Sequence, residues 1–249
     1  FCQRGDYLSR IEDGRIFSYK NDPVYSGSSI RMMVNDENNK IWLTYAKQSG
    51  SKFNGGFVQK LDTGLKVYST SEGLPEGNCK ALCLSNSGGL WIGSHNMIYR
   101  WKNDSLRVYK FSNSKIRNQV ESIVEYDPNT IFFSTMREGL FRMHYGKLQR
   151  LPLPKILNSK KVYPRALIFD DQSNLWIQCI SEAHMLPAKY LLGEVKSEYF
   201  QSLYPRDGLN GIGWPSHIGK DDNGDLYFLG ASQMAHLNPS RIFRDSSLI

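Results

Sequence analysis

Five segments of this chain share one plan, and that repetition limits its fold more than any other feature. In each, an apolar run ends in a polar turn, and a short strand headed by an aromatic residue follows. The first is IRMMVNDENNKIWLTY, from Ile30 to Tyr45. The second is CKALCLSNSGGLWIGS (Cys79 to Ser94), and the third is VESIVEYDPNTIFFST (Val120 to Thr135). The fourth is PRALIFDDQSNLWIQC (Pro164 to Cys179), and the fifth is PSHIGKDDNGDLYFLG (Pro215 to Gly230). The aligned aromatics are Trp42, Trp91, Phe132, Trp176 and Tyr227.

The spacing of the anchors, roughly 40–50 residues, is the period of a four-stranded propeller blade. The turns are rich in Asp, Asn and Gly, which stabilise tight turns by side-chain hydrogen bonds and by tolerating positive φ. They would join the innermost strand of a blade to the next one out. The aromatic that follows supplies a large apolar side chain to the space between blades. Short β-rich runs after each anchor, such as GFVQKLDT and LKVYS, read as the two outer strands. In the fourth repeat, AHMLPAKYLLGE has room for one helical turn, bounded by Pro187 and Gly193.

The expected fold is therefore all-β: a β-propeller of four-stranded antiparallel blades, with five repeats and a partial blade. The propeller is expected over residues 1–243, with a tail or linker at 244–249. The repeats fall at about 28–70, 77–112, 118–155, 162–203 and 214–243. Residues 1–20 read as the outer two strands of a preceding blade. Two closures stay open. The missing strands of a larger ring come from further chain, or residues 1–20 complete the last blade of a smaller one.

Composition excludes little. The formal charge of +7 suits an acidic ligand, but Lys and Arg are spread along the chain, which argues against nucleic acid. No run approaches the roughly 18 apolar residues of a membrane helix. The four cysteines, Cys2, Cys79, Cys83 and Cys179, lack CxxC spacing and read as small buried residues. The chain reads as a piece of a longer one.

Tyr68 to Trp101 resembles the two-component regulator propeller repeat. The matching elements are Gly73-Leu74, Gly208-Leu209, Leu90-Trp91-Ile92-Gly93 and Gly139-Leu140. Leu237-Asn238-Pro239-Ser240-Arg241-Ile242 looks like the end of a last blade. Ser85 replaces the turn Asp, Ser94 replaces a Thr, the third repeat has Phe for Trp, and the fourth lacks the Gly. The resemblance implies the periplasmic sensor region of a hybrid two-component histidine kinase/response regulator of Bacteroidetes type. It implies an oligosaccharide ligand, neutral or acidic. It also implies further propeller and Ig-like domains in the parent chain, a kinase elsewhere in that chain, and homodimers.

Ligands usually meet one face of a propeller, where fourth-to-first and second-to-third strand loops lie together. Candidate ligand residues there are Trp214 for sugar stacking, and Arg137 and Arg165 (with Arg117) for carboxylate or sulfate. His95, Asn96, His184 and His217, with Glu182, are candidates for hydroxyls. Arginine and histidine in loops are, however, more often surface or structural residues. No catalytic motif stands out, and Asp170-Asp171 and Asp221-Asp222 read as turn formers. No metal and no cofactor is expected. The competing readings are a propeller lyase or glycoside hydrolase, and a protein-interaction scaffold.

Overall fold

The structure is a computed structural model. It describes residues 2–4, 7–19, 28–47, 55–61, 64–75, 77–111, 118–151, 163–180, 182–193, 201–209, 217–230 and 233–242. Trp214 and Arg117 lie outside them. The chain divides into two compact units, Phe1–Val120 and Glu121–Ile249.

The first unit opens with a three-stranded antiparallel sheet: β1 (Cys2–Arg4), β2 (Tyr7–Glu12) and β3 (Arg15–Tyr19). Two strands were expected here. The third arises because Cys2, Gln3 and Arg4 pair with Ser9, Leu8 and Tyr7. Two four-stranded blades follow. One is β4 (Ser28–Asn35), β5 (Ile41–Lys47), β6 (Gly56–Leu61) and β7 (Gly64–Ser69). The other is β8 (Ala81–Leu84), β9 (Leu90–Gly93), β10 (Met97–Lys102) and β11 (Ser105–Lys110).

The second unit carries β12 (Val120–Asp127, which starts at the boundary), β13 (Thr130–Thr135), β14 (Gly139–His144) and β15 (Lys147–Arg150). The next blade is β16 (Ala166–Phe169), β17 (Asn174–Gln178), β18 (Ala183–Pro187) and β19 (Gln201–Leu203). The last sheet has three strands among the described residues: β20 (His217–Lys220), β21 (Leu226–Leu229) and β22 (Met234–Leu237). All neighbours pair antiparallel in sequence order, so the fold is all-β and its sheets are β-propeller blades. Single helical turns follow β18 and β22, at Ala188–Leu191 and Pro239–Ile242.

First strands of successive blades lie together, β4 against β8 and β16 against β20. Packing between blades explains the anchors. Trp42, with Phe57 and Tyr68 of its own blade, packs against Leu82, Leu90 and Ile92 of the next. Phe132 packs with Leu167, Leu175 and Ile177, and Trp176 with Leu226 and Phe228. These three blades thus bury their anchors against their successors, which no single blade could do alone.

Four of the five first-to-second strand turns are built alike. The N–H of the fourth turn residue donates to the C=O of the first: Asn39 to Asp36, Gly88 to Ser85, Ser173 to Asp170, Gly224 to Asp221. Those fourth residues all have positive φ, between 57° and 81°. This is why Gly, Asn or Ser sits there rather than a bulkier side chain. Where the first residue is Asp, one carboxylate oxygen accepts two backbone N–H groups. The other accepts from the anchor. The Trp42 and Trp176 indole N–H groups reach Asp36 and Asp170 at 2.9 Å, and the Tyr227 hydroxyl reaches Asp221 at 3.1 Å.

The third turn is shorter, with only Pro128 and Asn129 between the strands, and its Phe132 has no group to donate. In the second, Ser85 leaves the carboxylate's place to Arg100. That guanidinium donates to Ser85 and Ser87 and stacks over Trp91 at 4.9 Å.

Candidate functional site

The ends of the blades opposite these turns gather polar side chains, and each unit holds its own cluster. In the first unit Asn96, held at φ 57°, ties the β9–β10 connection to the chain entering β12. Its side-chain oxygen accepts from the Asn118 N–H at 2.9 Å, and its own N–H donates to the Asn118 carbonyl at 3.0 Å. His95 forms a bridge with Gln119. The Asn78 amide nitrogen lies 3.2 Å from His95 Nε2 and donates to Gln119 Oε1 at 3.3 Å. Ser94 donates to the Asn78 carbonyl at 3.3 Å. His95 and Asn96 are therefore rigidly held, in a network with Asn78, Asn118 and Gln119 that the sequence reading had not singled out. The available signal was the polar pair just ahead of each first strand, Gly77-Asn78 and Asn118-Gln119.

In the second unit the cluster is charged. Arg165, just ahead of β16, pairs with Glu121 of β12 at 3.0 Å, with side chains only 11 % and 3 % exposed. His184 of β18 is buried. Its Nδ1 lies 2.8 Å from the Ser202 hydroxyl and its Nε2 lies 3.4 Å from Glu182. Protonation on Nε2 suits both neighbours, because the hydroxyl can donate and the carboxylate can only accept. Between these pairs Cys179 is buried. Burial raises its thiol pKa, Glu182 adds to the rise and Arg165 opposes it, so the thiol stays protonated and unreactive. Glu182 was a sequence candidate beside His184; Glu121 was not.

The remaining candidates are scattered. Arg137 is exposed in the turn between β13 and β14, and His217 is exposed at the start of β20. Trp42, Trp91, Phe132 and Trp176 are buried, and Tyr227 is half-buried.

The repeat position held by Arg165, five residues ahead of the turn's first residue, is occupied in the first unit by Arg31 and Lys80. Arg31 sits at a register shift in β4, between the paired residues Ile30 and Met32, and its buried Nε has no partner among the described residues. Such bulges re-aim a side chain. The clusters can therefore hold a ligand by hydrogen bonds and charge. Glu121 and Glu182 each face a basic side chain. Among the described residues, no group of three or more His, Cys, Asp or Glu is placed to hold a metal.

No protein-family model and no curated protein matches the sequence. Solved structures do. The extracellular domain of a candidate hybrid two component system from B. thetaiotaomicron superposes with a TM-score of 0.63 at 18% identity. The match covers 88% of this chain and 29% of that one. A candidate one component system from the same organism gives 0.62 at 14% identity, over 93% of this chain and 31% of that one. This chain has their propeller fold. It spans about three tenths of the length of either ectodomain. A candidate gluconolactonase also superposes, with a TM-score of 0.55 at 13% identity, over 84% of this chain and 74% of that one.

Proposed function

We propose that this chain is part of an extracytoplasmic, ligand-sensing propeller of a two-component sensor, and that it is not itself an enzyme. The observation that carries the reading is the superposition of nearly the whole chain on sensor ectodomains of candidate two- and one-component systems. The blade-end networks support binding: they offer fixed donors and acceptors, with the Glu121 carboxylate paired to Arg165. On this reading the ligand is an oligosaccharide. Arg31 and Lys80 occupy the position where the second unit pairs opposite charges, which favours an acidic sugar. The parent protein would place this segment in the periplasm, among further propeller and Ig-like domains, as a homodimer with its kinase elsewhere in the chain. Signalling would follow from tighter ligand binding in one arrangement of the ectodomain than in another.

Calorimetric titration of the intact ectodomain with neutral and acidic oligosaccharides tests this. Saturable binding that Arg165→Ala or Asn78→Ala weakens about tenfold is the expected outcome, given the usual strength of charge-assisted bonds. A folded ectodomain that binds no oligosaccharide would overturn it. The fold shared with a candidate gluconolactonase favours the enzymatic alternative, a propeller hydrolase or lyase. That alternative requires turnover of a lactone or glycoside by the purified chain. Saturable binding of a protein, and of no sugar, would instead favour a scaffold.

A further inference from the structure

The turn ends of the blades carry a second feature, independent of the sensor reading. Between the first and second turns of the first unit lies a cavity of about 310 Å³. Its walls are Asp36 and Glu37 on one side and Ser85 and Gly88 on the other, with Trp42 and Leu84 among its apolar residues. The second unit shows what the same cleft looks like when filled. The residue after the turn Asp is Asp171, equivalent to Glu37. It pairs at 2.6 Å with Lys220, the last residue of the next blade's first strand. Strand register makes Lys220 equivalent to Leu84: Lys220 faces Leu226 as Leu84 faces Leu90.

The glycines report the same contrast. A β-carbon at Gly224 would lie 2.2 Å from Asp171 Oδ2, so the acid closes over that turn. At the equivalent Gly88, nothing lies within 4 Å of that position. The first unit thus keeps the acid and the glycine but has Leu84 where the lysine belongs. Glu37 is exposed and has no ion pair among the described residues. Asp36 is already committed to its turn and to Trp42. The nearby cations of the second turn, Arg100 and Lys102, bind Ser85, Ser87 and Gly88 of that turn.

We propose that this cleft binds a primary ammonium group, which pairs with Glu37 as Lys220 pairs with Asp171. Chemically the ligand is an alkylammonium with a short apolar stem, which would lie along Leu84. Free diamines and lysine side chains of peptides share that chemistry.

The test is NMR titration of the whole chain, following the Gly88 amide and the Trp42 indole N–H. The probes are cadaverine and Nα-acetyl-lysine methylamide, with the Nε-acetylated form as neutral control. Both ammonium probes should shift the signals saturably, and the neutral control should not. A preference of fivefold or more between the two would identify the source as a free amine or a peptide side chain. Glu37→Gln, an exposed turn substitution, should weaken binding about fivefold or more. Leu84→Lys should abolish it by supplying the cation internally. No saturable shift in the wild type, or equal binding by Glu37→Gln with an unchanged fold, would overturn the proposal.

Discussion

At the residue scale, the bond between the turn acid and the anchor ring organises each blade. Asp170 accepts from two backbone N–H groups, the Asn174 amide and the Trp176 indole, and Trp176 is fully buried. Asp170→Ala strands that indole N–H and should cost about 2–4 kcal/mol in urea unfolding, whereas Ser85→Ala, which removes the acceptor of Arg100 and of the Ser87 N–H in a part-exposed turn, should cost about 1–2 kcal/mol. The fifth turn gives a pH signature. Partial burial pushes the Asp221 carboxyl up, but bonds from Asp225, Tyr227 and Asn223 outweigh it and hold it below the ordinary range. Its contribution is fully present above the unfolded value of about 3.9 and is lost as pH falls through the lower folded value. The melting temperature of Asp221→Asn should therefore fall less than that of the wild type between about pH 5 and pH 2. Equal slopes would contradict this. The sequence displayed both ends of the bond, Asp-rich turns and aromatic anchors six residues on. The link itself was not legible, because it depends on the hairpin returning the ring to the acid. Tyr227 shows that an OH serves as well as an indole N–H.

At the element scale, the position two residues beyond the anchor fastens the first and fourth blades to their successors. Thr44 donates to the Lys80 carbonyl at 3.0 Å, and Gln178 donates to the Leu229 carbonyl at 3.0 Å. In the second blade the position is Gly93, and a β-carbon there would lie 2.5 Å from Val120 Cγ1. The Gly of Leu-Trp-Ile-Gly thus makes room for the following strand, and Gly93→Ala should destabilise by about 1–3 kcal/mol through overpacking. Gln178→Ala, which leaves the Leu229 carbonyl without this donor, should cost about 1–2 kcal/mol by thermal or urea unfolding. The fourth repeat has Gln178 in place of that Gly, a different fastener in the structure. Strand number followed from turn spacing. The exception is β1, three residues too short to carry an alternating pattern.

For the whole molecule, the propeller fold was legible because its period, turns and anchors recur five times, so each weak signal was repeated. The site was legible only in part. His95, Asn96, Arg165 and His184 were singled out, but their partners Asn78, Gln119, Glu121 and Ser202 come from other strands or from loops of neighbouring blades. Asn78 and Gln119 stand in polar stretches ahead of first strands, but no local pattern announces Glu121 or Ser202. Removing half of the buried pair, as in Arg165→Met, should cost about 3–5 kcal/mol because Glu121 would be left buried and charged.

On the proposed sensor reading, ligand is received at the blade ends opposite the Asp turns. Hydrogen-exchange mass spectrometry on the intact ectodomain, with and without a binding oligosaccharide, tests it most directly. Protection is predicted in peptides covering residues 77–80, 94–96, 118–122, 163–166 and 178–184, with 36–40, 85–89 and 170–174 unchanged. Protection confined to the turn peptides, or none at saturating ligand, would contradict it.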